Sequence, residues 1–286
     1  MMQILNQVKY LRAAIDSEKQ AGRRIILVPT MGHLHRGHLQ LVKHAHGLGD
    51  IVVVSIFVNP MQFSADEDLD NYPKTLAEDR DKLEAEGAHY LFTPDNTEIY
   101  PNGTETHTTV SVDALSKRLC GLHRPTHFQG VCTVVNKLFN LVQPDSAVFG
   151  EKDFQQLAVI RRMVSDLCLP IDIIGVPTVR DDNGLALSSR NSYLSAEQRQ
   201  RAAGLQKTLQ QTREKLLRGD RQYHRLCDTA INQLTDNGFA VDYFEICNAE
   251  SLEKLADGDS CTQRIAIAAA SLGPTRLIDN LCIDSL

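Results

Sequence analysis

The sequence lacks the features that mark nucleic-acid-binding, secreted and membrane-spanning proteins. It has no cluster of lysines and arginines, and its net charge is −6 over 286 residues. Because phosphate contacts supply much of the affinity for nucleic acids, this acidic balance argues against DNA or tRNA as a substrate. The N-terminal residues mix charged with apolar positions, unlike a signal peptide, and no segment approaches the ~18 apolar residues of a membrane span. We expect a cytoplasmic protein with no nucleic-acid and no membrane partner.

The cysteines also lack a pattern. Seven are scattered along the chain, and none belongs to a C-x-x-C pair. This distribution predicts neither a disulfide framework nor a zinc site. We expect reduced thiols that pack as small apolar side chains.

Apolar residues make up 42% of the chain, enough for a sizeable core. Two β-branched runs without polar alternation, RIILV (24–28) and IVVVSIFV (51–58), are typical of parallel strands covered on both faces. Further strands are predicted over 89–92, 147–150 and 171–177, and helices over 4–20, 38–48, 73–87, 128–142 and 153–167. This alternation predicts an α/β fold with a doubly wound, Rossmann-like parallel sheet.

The pattern changes after residue 180. Ser195 to Gln198 (SAEQ) is a capping box, and a polar-faced helix is predicted behind it over 199–217. A second helix and three strands (240–247, 264–271 and 276–283) complete a smaller C-terminal α+β domain. We place the boundary at the turn formed by 181–184, which gives a catalytic domain over 1–180 and the smaller domain over 181–286.

The stretch VPTMGHLHRGHLQL (28–41) lies where the first buried strand passes into a helix. Open α/β sheets bind ligands beyond such strand ends, and the free N–H groups at a helix start attract phosphate. His35 and His38 are three residues apart, so they share one face of the first helical turn. Two imidazoles in this position are suited to donate hydrogen bonds to phosphate oxygens. The alternative is that both histidines only cap the helix.

The string P-T-M-G-x-L-H-x-G-H resembles the pantoate–β-alanine ligase (pantothenate synthetase) family, a member of the H-x-G-H nucleotidyltransferase superfamily. Four other segments carry the same resemblance: FVNPMQF (57–63), RPTHFQGVCTVV (124–135), FGEKDFQQL (149–157) and VPTVRDDNGLALSSRNSYLS (176–195). Together they extend from the first strand to the start of the second domain.

The resemblance implies an AMP-forming carbon–nitrogen ligase of pantothenate biosynthesis, in the coenzyme A pathway. Such an enzyme condenses pantoate with β-alanine through a pantoyl adenylate and releases AMP and pyrophosphate. ATP is then a substrate, with Mg²⁺ carried mainly on its phosphates and no metal ligand expected from the protein. The resemblance also implies a homodimer. Because an acyl adenylate is easily hydrolysed, we further predict that the smaller domain is a lid, which closes over the ATP site and carries Ser188, Ser189 and Arg190 inward.

The resemblance further assigns site residues. The catalytic donors are His35, His38, Lys152, Ser188, Ser189 and Arg190. The ATP site comprises Met31, Gly32, His33, Leu34, His35, Arg36, Gly37, His38, Gly150, Glu151, Lys152, Asp153, Val179, Leu187, Ser188, Ser189 and Arg190. Pantoate is bound by Gln62 and Gln156, and β-alanine by Gln62, with Tyr72 and Arg190 as further candidates.

Some interpretations remain open at this level. The alternative role of Arg190 is a purely structural ion pair. The alternative for Gln62 and Gln156 is that they are ordinary solvated surface residues. Two positions depart from the family pattern, since His33 replaces a small residue and Leu187 replaces a methionine. The rival functions are an adenylyltransferase, a tRNA-charging enzyme and a non-catalytic nucleotide sensor. The neutral glutamines argue against an adenylyltransferase. The lack of a basic RNA-binding module argues against a tRNA-charging enzyme. The presence of His35, His38 and Lys152 argues against a non-catalytic sensor.

Overall fold

The computed structural model describes residues 1–63, 69 and 72–284, and these divide into two compact units. The first unit comprises Met1–Lys117, Arg124–Glu151 and Gln156–Pro177. The second comprises Thr178–Leu286 together with two short segments from earlier in the chain, Arg118–His123 and Lys152–Gln155. Lys152 therefore belongs to the second unit, although a strand of the first unit, Ser146–Gly150, ends two residues before it.

The first unit is built from strands that alternate with helices. Its strands are β1 (Gln3–Leu5), β2 (Ile25–Thr30), β3 (Ile51–Ile56), β4 (Tyr90–Phe92), β5 (Ser146–Gly150) and β6 (Asp172–Val176). The helices, numbered through the whole chain, are α1 (Val8–Gln20), α2 (Arg36–His46), α3 (Leu76–Ala85), α4 (Asn96–Ile99), α5 (Asp113–Ser116), α7 (His127–Val142) and α8 (Phe154–Asp166). Helix α6 (Cys120–His123) lies in the second unit.

The six strands form one parallel sheet in the order β1-β4-β3-β2-β5-β6. The chain winds outward from β2 through β3 to β4, and then returns to the other side of β2 to add β5 and β6. The carboxyl ends of β2 and β5 are neighbours at the point where this winding reverses. In open α/β sheets that point is the usual position of a ligand crevice.

The core explains why β2 and β3 have no polar alternation. Their side chains from Ile25 to Val28 and from Ile51 to Val54 are buried, because helices cover both faces of the sheet. Helix α2 packs on β2, β3, β5 and β6, and α7 contacts β2 and α1. The predicted fold class, a doubly wound parallel sheet with a smaller α+β part, is confirmed.

The second unit has its own sheet and its own core. Strands β7 (Ala240–Asn248), β8 (Arg264–Leu272) and β9 (Thr275–Cys282) are antiparallel neighbours in that order. Its longer helices are α9 (Ala196–Ala202), α10 (Gly204–Leu217) and α11 (Tyr223–Asp236). Helix α10 packs on β8 and β9, and α11 packs on β7. The alanines of β8 are fully buried, and their small size allows a helix to lie close to the sheet.

Two of the predicted helices differ most from the structure. The helix predicted over 4–20 begins only at Val8, because residues 3–5 form β1 beside β4. The segment 196–217 is interrupted at Ala203, although the capping box of Ser195 and Gln198 is present as predicted. All seven cysteines lie in the described part of the chain, and none of them forms a disulfide. Within that part, no helix combines the length and hydropathy required to cross a bilayer.

Candidate active site

The turn between β2 and α2 is held by a buried carboxylate. Asp79, in the first turn of α3, is 1% exposed and accepts hydrogen bonds from the backbone N–H groups of His33 (2.8 Å) and Leu34 (2.7 Å). Thr75 Oγ1 also donates to this carboxylate (3.2 Å), and Lys82 Nζ lies 3.9 Å from it. Because hydrogen bonds to an ionised acceptor are stronger than neutral ones, Asp79 fixes the backbone of the turn.

The backbone of this turn has two consecutive residues in the left-handed region. Gly32 has φ +85°, and a Cβ there would lie 3.0 Å from Ile56 Cγ2 and 3.2 Å from Asp79 Oδ2. His33 follows with φ +51°, a conformation that histidine adopts more readily than most residues. Its ring Nδ1 lies 3.4 Å from Thr75 Oγ1. The turn thus holds a histidine at position 33 in a left-handed conformation, with its ring beside Thr75.

His35 and His38 form a reciprocal cap at the start of α2. His35 Nδ1 accepts a hydrogen bond from the Gly37 N–H (3.1 Å), and His38 Nδ1 accepts one from the His35 N–H (3.3 Å). The two ring centroids are 4.0 Å apart. Since a neutral imidazole has one acceptor and one donor nitrogen, the accepting Nδ1 atoms assign the proton to Nε2 in both rings.

The two interpretations of these histidines are therefore compatible. Both side chains cap the helix through Nδ1, and the cap itself does not use the Nε2 atom of either ring. The helix N-terminus adds a partial positive charge at the same place. A pair of neutral, pre-oriented donors at the carboxyl end of β2 is suited to an anionic group.

Gln62 is 7% exposed, and a buried asparagine fixes the orientation of its amide. Asn59 Nδ2 donates to Gln62 Oε1 (3.2 Å) and to Gly130 O (3.0 Å), while the Tyr100 hydroxyl donates to Asn59 Oδ1 (2.8 Å). Burial raises the pKa of the Tyr100 phenol, so the hydroxyl stays protonated and remains a donor. With Oε1 occupied by Asn59, Gln62 presents its Nε2 donor, which contacts Met31 Sδ.

The backbone oxygen of Gln62 is contacted by two residues at and just before the start of α7. His127 Nδ1 lies 2.8 Å from Gln62 O, and Arg124 Nη2 donates to the same oxygen (3.3 Å). Arg124 Nη1 and His127 Nε2 are 3.0 Å apart. The segment RPTHFQGV, which carried part of the family resemblance, thus holds the backbone of Gln62 in place.

Gly130 allows the 3₁₀ turn Pro60–Gln62 to lie against α7. A Cβ at this position would be 2.2 Å from Met61 O and 2.6 Å from Gln62 N, far inside van der Waals contact. We expect Gly130→Ala to lower the free energy of unfolding by about 1–3 kcal/mol, because the turn or the helix has to move. Urea unfolding measures the effect.

Gly204, the first residue of α10, provides a matched control for that substitution. A Cβ there would lie 3.6 Å from Phe239, an ordinary contact, so Gly204→Ala is expected to be tolerated. Equal unfolding midpoints for Gly130→Ala and the unsubstituted protein would contradict the packing role of Gly130.

The adjacent glutamines at the start of α8 have different surroundings. Gln155 is 3% exposed; its Oε1 accepts from the Cys120 N–H (3.0 Å), and its Nε2 donates to Arg118 O (2.7 Å). These bonds tie α6 to the segment after Lys152 within the second unit. Gln156, the residue selected from the sequence, is half-buried and belongs to the first unit.

The remaining candidate donors belong to the second unit. Lys152 lies in a 3₁₀ turn, Glu151–Asp153, and its Nζ is 3.6 Å from Asp153 Oδ1. In the segment before Ser188, the Leu187 N–H donates to Val179 O (2.9 Å), which closes a short hairpin. Ser188 then caps a second 3₁₀ turn, Ser189–Tyr193, and its Oγ accepts from the Arg190 N–H (3.3 Å).

Residues 1–63, 69 and 72–284 contain no group of three or more His, Cys, Asp or Glu side chains arranged to hold a metal ion. The carboxylate of Asp79, which contacts the histidine turn, is occupied by backbone donors and by Thr75.

Four residues that shape this region were not identified from the sequence: Asn59, Asp79, Tyr100 and Gly130. Asn59 and Gly130 lie inside the quoted motifs, but nothing in the spacing shows that they approach each other. Asp79 lies in LAEDRDKL, a segment whose charges are typical of a solvated helix face. A threonine N-cap followed by carboxylates is the signal that marks the helix start there, and it does not reveal the partner.

Comparisons with known proteins identify the family of the chain. The pantoate-beta-alanine ligase family model matches residues 3–282. The pantothenate synthetase of Hahella chejuensis is 55% identical over 279 residues, covering 98% of each chain, and that of Ectopseudomonas mendocina is 54% identical over 283 residues, covering 99% of each.

Solved structures give the same relationship. Pantothenate synthetase from Thermus thermophilus superposes with a TM-score of 0.92 at 44% identity, covering 99% of this chain and 100% of that one. Pantoate-beta-alanine ligase from Francisella tularensis gives a TM-score of 0.81 at 32% identity, covering 100% and 99%. The Francisella structure is a complex with beta-gamma ATP and beta-alanine.

A parallel sheet with a helix N-terminus at its switch point defines the class of doubly wound α/β proteins that bind ligands at that point. Within this class, the chain belongs to the pantoate–β-alanine ligase family. The reaction of that family is the ATP-dependent joining of pantoate to β-alanine, which makes this chain a ligase of pantothenate biosynthesis.

Proposed function

We propose that the chain activates pantoate as an acyl adenylate before the amide bond forms. A carboxylate oxygen of pantoate attacks the α-phosphorus of ATP, the bond to the bridging oxygen of the β-phosphate breaks, and pyrophosphate leaves. The amine of β-alanine then attacks the acyl carbon, AMP leaves with the former carboxylate oxygen, and the nitrogen loses a proton. The observation that carries the proposal is the reciprocal cap of His35 and His38, which orients both rings at the start of α2 through their Nδ1 atoms.

The two histidines are proposed to stabilise charge at phosphorus. Negative charge increases on the α-phosphate and on the leaving pyrophosphate in the transition state, and pre-oriented donors stabilise it most strongly there. Because Nδ1 of each ring is fixed by a backbone N–H, the Nε2–H groups need no reorganisation when the charge develops. Met31 to His38 are proposed to form the part of the ATP site that follows β2.

The other donors to ATP are proposed from the family relationship. Lys152 supplies a compact cation, and Ser188, Ser189 and Arg190 supply short hydroxyl and guanidinium donors. Gly150, Glu151, Asp153, Val179 and Leu187 complete the proposed ATP site. In this proposal Mg²⁺ is carried mainly by the ATP phosphates, a common mode for this ion.

Pantoate is proposed to bind through the amides of Gln62 and Gln156. The network from Tyr100 through Asn59 supports this, because it holds Gln62 Oε1 on Asn59 and leaves Nε2, which contacts Met31 Sδ, as the donor of this amide. A neutral donor holds a carboxylate or hydroxyl without strongly reducing the nucleophilicity of the carboxylate. Gln62 is also the proposed contact of β-alanine, with Tyr72 and Arg190 as further candidates.

We expect Gln62→Ala and Gln156→Ala each to raise the KM for pantoate and to leave ATP binding nearly unchanged. Each variant loses hydrogen bonds to the substrate, worth about 1 kcal/mol apiece, so an increase of about fivefold or more is expected. Separate calorimetric titrations with ATP and with pantoate measure the two affinities. Equal losses for both ligands would indicate a folding defect and would contradict the assignment.

The two domains are proposed to have different roles. Residues 1–180 bind ATP and pantoate, and residues 181–286 act as a lid. A lid is useful because an acyl adenylate is readily hydrolysed, so water has to be excluded after it forms. From the family relationship we expect a cytoplasmic homodimer.

Pyrophosphate release tests the proposed reaction. With ATP and pantoate but without β-alanine, the enzyme is expected to release pyrophosphate in an amount close to that of the active sites. Release that requires β-alanine would contradict a separate adenylation step. Release that requires a phosphorylated acceptor in place of pantoate would indicate an adenylyltransferase.

A further inference from the structure

Two consecutive residues of β9, Asp279 and Asn280, are buried polar groups, with exposures of 3% and 6%. Successive side chains of a strand point to opposite faces of its sheet, so one dipeptide is able to contact two different segments. Asp279 and Asn280 each bond to a segment that carries candidate ATP ligands, and all of these residues lie in the second unit.

Asp279 holds the base of the hairpin that leads to Ser188. Arg180 Nη1 and Nη2 donate to its two carboxylate oxygens at 2.6 and 2.9 Å. The same guanidinium donates to Gly184 O in the turn of the hairpin (3.1 Å). A bidentate pair fixes direction as well as distance, so the hairpin has a defined orientation on β9.

Asn280 holds the segment of Lys152. Its Nδ2 donates to the Lys152 backbone oxygen at 2.9 Å. The Asn280 N–H in turn donates to Asp279 Oδ1 (2.8 Å), which links the two anchors through one carboxylate. The backbone of Lys152 and the base of the hairpin are therefore attached to adjacent residues of one strand.

We propose that Asp279 and Asn280 are positioning residues for catalysis, which set Lys152 and the Ser188–Arg190 segment at a fixed separation. The inference rests on the proposed function, in which these two segments bind the same ATP molecule. Donors that act on one transition state have to be held together, and a misplacement of about 1 Å is able to cost on the order of 100-fold in rate. Neither Asp279 nor Asn280 needs to touch the substrate.

A double-mutant cycle between Asn280 and Lys152 tests the positioning role. Asn280→Leu is of similar size and lacks the donor; Asn280→Asp is a second variant for the case that the leucine variant does not fold. The rate of pantoate-dependent pyrophosphate release is measured in a single turnover with enzyme in excess. We expect Asn280→Leu to lower this rate about tenfold or more while pantoate affinity changes by less than about twofold.

The decisive result is the effect of the same substitution in a Lys152→Ala background. If Asn280 acts through Lys152, adding Asn280→Leu there is expected to change the rate by less than about twofold, because residues that share one role are not additive. If the rate losses of the two single variants multiply in the double variant, the inference is overturned, while the role of Lys152 is unaffected. A normal rate for Lys152→Ala alone would instead overturn the proposed function of the lysine, and the inference with it.

Arg264 and Asp284 provide a matched control for Asp279. They form a second bidentate ion pair of the second unit, at 2.7 and 2.9 Å, between the start of β8 and the residues after β9. We expect Asp284→Asn to lower the unfolding midpoint but to leave the rate of pyrophosphate release within about twofold, and Asp279→Asn to lower both. Asp279→Glu, which keeps the charge, is expected to recover part of the rate. Equal rate losses for Asp279→Asn and Asp284→Asn would show a general structural effect and overturn the inference.

Discussion

Replacing His38 with alanine is expected to lower kcat for pantothenate formation on the order of 10²- to 10³-fold, as for the removal of one donor that stabilises a developing anion. The substitution removes an Nε2–H donor whose ring is oriented by the His35 N–H. Because the donor is proposed to act mainly in the transition state, kcat and kcat/KM are expected to fall together, with the affinity for pantoate nearly unchanged. Steady-state kinetics with each substrate varied in turn measures these constants.

Two further variants separate chemistry from capping. His38→Gln keeps a side-chain acceptor at the third helical position, so it is expected to restore the cap and the stability but not the rate. His44→Ala removes an exposed histidine from the last turn of the same helix and is expected to have no effect on kcat. A near-normal kcat for His38→Ala, with only a raised KM for ATP, would show that the assigned role is wrong.

Replacing Asp79 with alanine is expected to have the largest effect on stability, about 2–4 kcal/mol. The substitution leaves the N–H groups of His33 and Leu34 without their acceptor in a buried turn, and each unsatisfied group costs about 1–3 kcal/mol. The turn then loses its fixed geometry, so ATP affinity and kcat are also expected to fall. Urea unfolding and ATP titration measure the two effects separately.

Asp79→Asn and Glu78→Ala complete the test of the turn. Asparagine keeps the shape but only one oxygen acceptor, so an intermediate loss is expected. Glu78 is the preceding residue of α3 and is exposed, and its replacement is expected to change stability by less than about 0.5 kcal/mol. Unchanged ATP affinity in Asp79→Ala would contradict the link between the buried carboxylate and the histidine turn.

The fold was predictable because local pattern and tertiary structure agree in most of the chain. The runs 24–28 and 51–58 have no polar face, which requires cover on both sides and therefore a parallel sheet. The short edge strand β1 was missed because three residues carry no periodicity of their own. Only pairing with β4 makes them a strand.

The candidate site was predictable where one segment contains the whole pattern. The motif around His35 and His38 places both rings on one helical turn, and the structure shows them as a reciprocal cap. The supporting residues depend on contacts that are distant in sequence. Asp79 lies 45 residues from the Leu34 N–H that it accepts from, and Asn59 lies 71 residues from the Gly130 oxygen. No spacing rule within a single sequence reveals such pairs.

Oxygen transfer from the carboxylate of pantoate tests the central claim most directly. Pantoate labelled with ¹⁸O in its carboxylate is converted with ATP and β-alanine, and the phosphorus-containing products are analysed by mass spectrometry. An acyl adenylate transfers one labelled oxygen to AMP, because the carboxylate oxygen that attacks phosphorus leaves with it. The account predicts one ¹⁸O in AMP and none in pyrophosphate. Unlabelled AMP, or ADP together with labelled inorganic phosphate, would contradict it.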